Sequence, residues 1–167
     1  MRRIAAVVLC AACAWFFAFP ALAGEPGWEV YENGRFGYEI EHPDFLKVVQ
    51  ESDNGDGVVL ASSDGSCELR VWGSYNVMED TLEGLLDFNV TSAEERGWKV
   101  VEGSKNVGED SFAVSFRDGE FCVEERGILK GDVTAGFQLR YPASESEKFG
   151  PVLERVTASF KIGTAGK

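Results

Sequence analysis

From Trp28 onward, apolar and polar residues alternate in short runs broken by turn residues, the period-two signature of half-buried strands. Residues 28–31 run into Glu32-Asn33-Gly34, an Asn-Gly hairpin signal, and residues 36–41 run into His42-Pro43. Asp53-Asn54-Gly55-Asp56-Gly57 reads as a loop by composition. Residues 58–62 and 66–72 flank Asp64-Gly65 as a second hairpin, with Cys67, Leu69 and Val71 on one parity and Glu68, Arg70 and Trp72 on the other.

The period then changes to that of a helix. Leu82, Leu85, Leu86, Val90 and Ala93 share one face while Glu83, Asp87, Glu94 and Glu95 share the other, with Asp80 or Thr81 as N-cap and Gly97 as the stop. Strand patterns resume at 98–102, 111–116, 121–129 and 133–141, the middle pair joined at Asp118-Gly119. A second helix closes the chain. Ser144 with Glu147 fits a capping box, Phe149, Val152, Leu153, Val156 and Phe160 recur at helical spacing, and Pro151 is expected to restart the helix after Gly150. Residues after Phe160 read as a frayed tail. Strands, helix, strands, helix, linked by hairpins, predict an α+β fold built on an antiparallel sheet.

Ahead of this pattern, Arg2 and Arg3 precede an apolar run at 4–19, Pro20 breaks it, and Ala21-Leu22-Ala23 supplies a small-x-small site. This predicts a signal peptide, residues 1–23, cleaved after Ala23, and export to the periplasm or beyond. The competing reading is an anchor, since residues 4–23 are about long enough to span a bilayer. Cys10 and Cys13 have the spacing of a redox dithiol but fall inside this targeting segment. Residues 24–167 then form one domain, its core at about 28–160; no repeat or linker divides it.

Charge narrows the chemistry. The 167 residues carry 16 Lys and Arg against 28 Asp and Glu, a net charge of −12. Removing residues 1–23 takes away Arg2 and Arg3 and no acid, which leaves 144 residues with 14 basic and 28 acidic groups, a charge of −14. Such a surface does not displace counterions from nucleic-acid phosphates. A single His, His42, rules out multi-His metal sites within one chain.

Cys67 and Cys122 leave two readings open. An exported chain with an even pair favours a disulfide. Against it, Cys67 shares parity with Leu69 and Val71 whereas Cys122 shares parity with Glu124 and Arg126, so with one buried face the sulfurs point apart and stay two separate thiols. No nucleophile elbow, phosphate loop or dinucleotide fingerprint occurs. His42 could act as a base toward either thiol, but a position before a proline reads more simply as a boundary residue. Asp53, Asp56 and Asp64 invite a calcium loop, yet Gly55 and Gly57 occupy two of the positions that need oxygen ligands, and turn chemistry accounts for them. Asn89-Val90-Thr91 is a sequon on the expected first helix. Trp72 and Tyr75 are the aromatics placed to form an exposed patch, against the alternative that a helix covers them. No catalytic, metal-ligating or cofactor-binding residue is assigned, and no cofactor is implied.

Tyr31 and Asn33, Phe36-Gly37-Tyr38, Pro43, Asn54-Gly55-Asp56-Gly57, Asp64-Gly65, Leu69-Arg70-Val71-Trp72-Gly73-Ser74, Tyr141-Pro142 and Ser159-Phe160 resemble a widespread family of exported bacterial proteins of unassigned function. The family is similar in element order to the PsbP/Mog-type fold. The resemblance implies an α/β/α sandwich with helices packed on both faces of the sheet, and a protein that binds partners rather than catalysing. His42, where the family has an aromatic, and Cys122 depart from it, and no functional residue carries over. The resulting expectation is an exported periplasmic, non-enzymatic binding or accessory module for another envelope protein, with no nucleic acid and no stable membrane insertion after cleavage. The alternatives are a hydrolase-type enzyme using carboxylates and a cation-binding envelope protein.

Overall fold

A computed structural model describes residues 26–163. The expected signal segment with its cleavage site, and with it Cys10 and Cys13, lies outside the described residues. Eleven strands and two main helices follow in the order β1 (Trp28–Glu32), β2 (Tyr38–Pro43), β3 (Lys47–Glu51), β4 (Gly57–Ala61), β5 (Glu68–Tyr75), α1 (Leu82–Glu95), β6 (Lys99–Val100), β7 (Asn106–Val107), β8 (Ser111–Asp118), β9 (Phe121–Lys130), β10 (Val133–Pro142), α2 (Ser146–Ser159) and β11 (Lys161–Ile162). All pairings are antiparallel. One sheet has the order β1-β2-β11. The larger, eight-stranded sheet runs β3-β4-β5-β10-β9-β8-β6, with β7 paired to β8.

Register assigns side chains to faces of the large sheet. Val71, Phe137, Arg126 and Ala113 form one row across β5, β10, β9 and β8, and Trp72, Gly136, Gly127 and Phe112 form a row of the opposite parity. On the first face the β4, β5 and β10 positions are apolar: Val58, Leu60, Leu69, Val71, Phe137 and Leu139 are buried in one cluster with Tyr38 and Ile40 of β2 and Phe149, Val152 and Val156 of α2. On the second face the apolar positions lie instead on β8 and β9. Phe112, Val114, Phe116 and Val123 cluster with Leu82, Leu86, Val90 and Ala93 of α1. The consecutive residues Cys122 and Val123 therefore belong to different clusters. Apolar character changes face between β10 and β9, and each face keeps a polar half without that covering cluster.

Several expectations need correcting. Residues 47–51 form β3, an edge strand with all its residues exposed and a register shift between Val48 and Gln50, and no alternation marks it because neither face is buried. Residues 161–163 of the expected tail are not frayed. Lys161 and Ile162 pair with Glu39 and Tyr38 as β11, Ile162 is buried, and Gly163 N–H donates to Gly37 O at 2.8 Å. The Ser144–Glu147 capping box does not form: residues 143–145 make a 3-10 turn, and α2 starts at Ser146 without a side-chain cap. Pro151 sits inside a continuous α2 rather than restarting it. Thr81 does cap α1, its Oγ1 accepting from Gly84 N–H at 3.2 Å. The β1–β2 hairpin forms through buried Asn33, whose Oδ1 accepts from Arg35 and Phe36 N–H, and the left-handed residue is Gly37 rather than Gly34.

Candidate functional site

The residues that suggested chemistry do not assemble into a reaction centre. His42 is buried, and among the described residues its ring hydrogen-bonds the Pro43 carbonyl at 3.1 Å. Asp64 accepts from Ser62 Oγ, Ser66 N–H and Ser66 Oγ, and these bonds hold its carboxyl at about 2, so it braces the β4–β5 turn. Asp56 pairs with Arg35 at 2.7 Å. No group of three metal-ligating side chains comes together among the described residues. Asn89 of the sequon lies on α1 and is half-buried.

Cys67 and Cys122 are both buried, both free, and both in the same cluster, which corrects the parity argument. Glu124 and Arg126 are polar because their part of the first face is open, not because they turn away from the core. Tyr141 pairs with Cys122, and continuing the β5–β10 register one step past Glu68–Arg140 sets Tyr141 opposite Cys67. The thiols are thus two strands apart, about 10 Å between Cα atoms, beyond the reach of a disulfide. Burial pushes the Cys67 thiol up to about 12, which keeps it protonated and unreactive. Alkylation of the denatured, unreduced chain is therefore expected to modify both cysteines. A mass unchanged until reductant is added would contradict this register.

Trp72 is half-buried, and α1 does not account for that: α1 packs on β6, β8 and β9. The indole lies on Gly136, where an added Cβ would come within 2.6 Å of Trp72 Cζ2. Tyr75 is 49% exposed and meets Phe36 edge-on at 5.1 Å.

Beyond Tyr75 the connection to α1 presents Val77 and Met78, 81% and 78% exposed. This loop is built rather than loose. Asn76 N–H donates to Asp132 O at 2.7 Å, its Nδ2 donates to Asp80 O, its Oδ1 accepts from Asp80 N–H, and its carbonyl accepts from Glu79 N–H. Glu79 adopts a left-handed φ of 55°, which costs a non-glycine residue about 1–2 kcal/mol and persists only where the surroundings impose it. Phe88, 70% exposed on α1, lies one turn after Gly84, and helical side chains lean toward the N-terminus, here toward the loop. Sequence reading passed over Val77 and Met78. Two apolar residues between Asn76 and the N-cap Thr81 were the available signal.

The polar halves of the two faces hold clefts. On the second face a cavity of about 420 Å³ is lined by Arg70, Arg96, Arg140 and Trp98. Its cations are engaged: Arg70 pairs with Glu68, Arg140 with Asp118 at 3.1 Å, and Arg96 lies over the Trp98 ring at 4.4 Å. Gln138 also lines it and donates to Glu125, a carboxylate only 1% exposed whose Oε1 has no partner among the described residues. Burial raises the Glu125 carboxyl, partly offset by the Gln138 bond and by Arg96 and Arg126. On the first face a larger cleft of about 520 Å³ opens between β8, β9 and the α2–β11 junction.

An antiparallel sheet with two helices in this order defines a PsbP/Mog-like α+β fold. Among solved structures the chain is similar to the cyanobacterial PsbP (CyanoP) of Synechocystis sp. PCC 6803, with a TM-score of 0.66, 15% identity, and 88% of this chain and 99% of that chain covered. It is also similar to the Saccharomyces cerevisiae Ran-binding protein Mog1p, with a TM-score of 0.60, 11% identity, and 83% and 96% covered. No protein-family model and no curated protein matches the sequence.

Proposed function

We propose that this chain is an exported, non-enzymatic binding or accessory module for another protein of the cell envelope, an α/β/α sandwich with α1 and α2 on opposite faces of its large sheet. The division of Cys122 and Val123 between two clusters supports the sandwich reading. The Val77–Met78 loop carries the functional one: a strained, hydrogen-bonded loop that presents two neighbouring apolar side chains to water is the form that a partner-binding surface takes. Likeness to Mog1p, a Ran-binding protein, favours a protein partner over a small substrate. Export rests on the Arg2-Arg3, apolar-run and Ala21-Leu22-Ala23 pattern. No described helix is long and apolar enough to cross a membrane.

The test is a photo-crosslinking residue placed at Met78 in living cells, with the same residue at exposed Lys105 as control. A discrete adduct from position 78 and none from 105 is expected. With the crosslinker kept at position 78, Val77→Glu should abolish that partner's capture while changing stability by no more than about 0.5 kcal/mol, as for a surface substitution. Absence of any adduct specific to position 78 would remove this reading.

A further inference from the structure

The cleft of about 520 Å³ on the first face opposes the character of the whole chain. In a protein with 28 acids and 16 bases, it is lined by Arg126, Lys130 and Lys161 against one carboxylate, Asp110. Lys161 is held by Glu39 at 2.8 Å. The other two cations are not neutralised so closely. Lys130 Nζ donates to the Ile162 carbonyl at 2.8 Å and has no carboxylate within 4 Å among the described residues. Arg126 donates to the Glu125 carbonyl at 2.7 Å and keeps Glu124 at 3.7 Å, with its side chain only 22% exposed.

A guanidinium has five N–H donors and an ammonium three, so both cations retain donors that the protein does not use. Between them the surface is mixed: Ile128 of β9 and the edges of buried Phe160 and Ile162 at the α2–β11 junction are apolar, with fully buried Phe137 of β10 beneath, edge-on to Phe160 at 5.2 Å, and Asn106, Ser111 and Thr157 supply the polar remainder. The volume falls in the range of small-ligand sites, and the pairing of apolar surface with a few convergent donors is the usual form of such sites. An acceptor-only planar group meets an arginine fork best, and the Ile128, Phe160 and Ile162 edges favour carbon over further charge.

We propose that this cleft binds an organic carboxylate with an apolar body. That chemistry is shared by free aryl- or alkyl-substituted acids and by the free C-terminus of a polypeptide ending in an apolar residue. The site shares no residue with the Val77–Met78 loop, so either reading can fail alone.

The experiment is an NMR titration of residues 24–167, the chain expected after cleavage, with phenylbutyrate, with its neutral amide, with inorganic phosphate, and with an N-acetylated Gly-Gly-Leu peptide carrying either a free or an amidated C-terminus. At least one of the two acids should shift the backbone amides of Arg126, Ile128, Lys130 and Ile162, and its amide should bind roughly tenfold more weakly or worse. Whichever acid binds more tightly identifies the source. Arg126→Gln and Lys130→Met should each reduce acid binding roughly tenfold without altering the melting temperature appreciably. The proposal is overturned if acid and amide bind equally, if phosphate binds as tightly as the acid, if the shifts lie outside the cleft, or if neither acid binds up to about 10 mM.

Discussion

Glu125→Leu is expected to stabilise the protein at neutral pH by about 1–3 kcal/mol, the usual range for a buried polar group lacking full compensation. Each kcal/mol corresponds to roughly 2–4 °C in melting temperature for a chain of this size. Glu125 lies between Val123 and Gly127 on the second face of the sheet, 1% exposed, with Gln138 as the donor to one oxygen and, among the described residues, nothing bonded to the other. Burial raises its carboxyl above the ordinary value of 4.5. The folded chain therefore holds this proton to higher pH than the unfolded chain does. The associated stability is present below about 4.5 and is lost as pH rises through the folded-state value.

Leucine removes both the ionisable group and that slope. Gln138, half-exposed, can turn its amide to water instead. Chemical denaturation of both proteins between pH 4 and pH 8 measures the difference, in which the contributions of the other acids cancel. A stability difference that does not grow with pH would show that Glu125 is compensated in a way this geometry does not contain.

Gly127→Val is expected to destabilise by about 1–3 kcal/mol, the range for forcing bulk into a packed site. Gly127 of β9 stands opposite Gly136 of β10, and the row continues to Phe112 on one side and Trp72 on the other. Each aromatic ring lies across its neighbouring glycine. A Cβ at Gly127 would fall within the van der Waals envelope of the Phe112 ring, which is buried against α1 and cannot swing out freely. Gly84→Ala is the contrasting substitution. Gly84 lies in α1, where an added Cβ meets only ordinary van der Waals contacts at 3.7 Å and beyond, so alanine should stabilise by about 0.5–1 kcal/mol through helix propensity. Equal and small effects at the two positions would mean that the aromatic–glycine row is not packed as described.

The legible parts of the fold were those whose signal is local. Leu82, Leu86, Val90 and Ala93 mark α1 because the same residues that make the apolar stripe are the ones it buries. Asp64-Gly65 and Asp118-Gly119 mark hairpins because turn geometry is set within a few residues. β3 escaped notice because an edge strand exposed throughout has no reason to alternate. β11 escaped because two residues carry no period, and Ile162 is buried by β2, more than a hundred positions away in the chain. The Val77–Met78 surface was visible as residues but not as a site, since its rigidity comes from Asn76 bonding across to Asp132.

By itself the sequence determined the antiparallel hairpins, α1, the helical character of α2, and an acidic balance with a single histidine, because each is a property of composition or of neighbours along the chain. Only the tertiary structure decided which parity of each strand faces the core. Phe137 and Leu139 are buried on one face and Val123 and Glu125 on the other, because a strand's buried side depends on what covers that stretch of sheet, and the apolar clusters change face between β10 and β9. That change leaves Arg126 and Lys130 beside an open cleft, a juxtaposition that strand periodicity alone could not reveal.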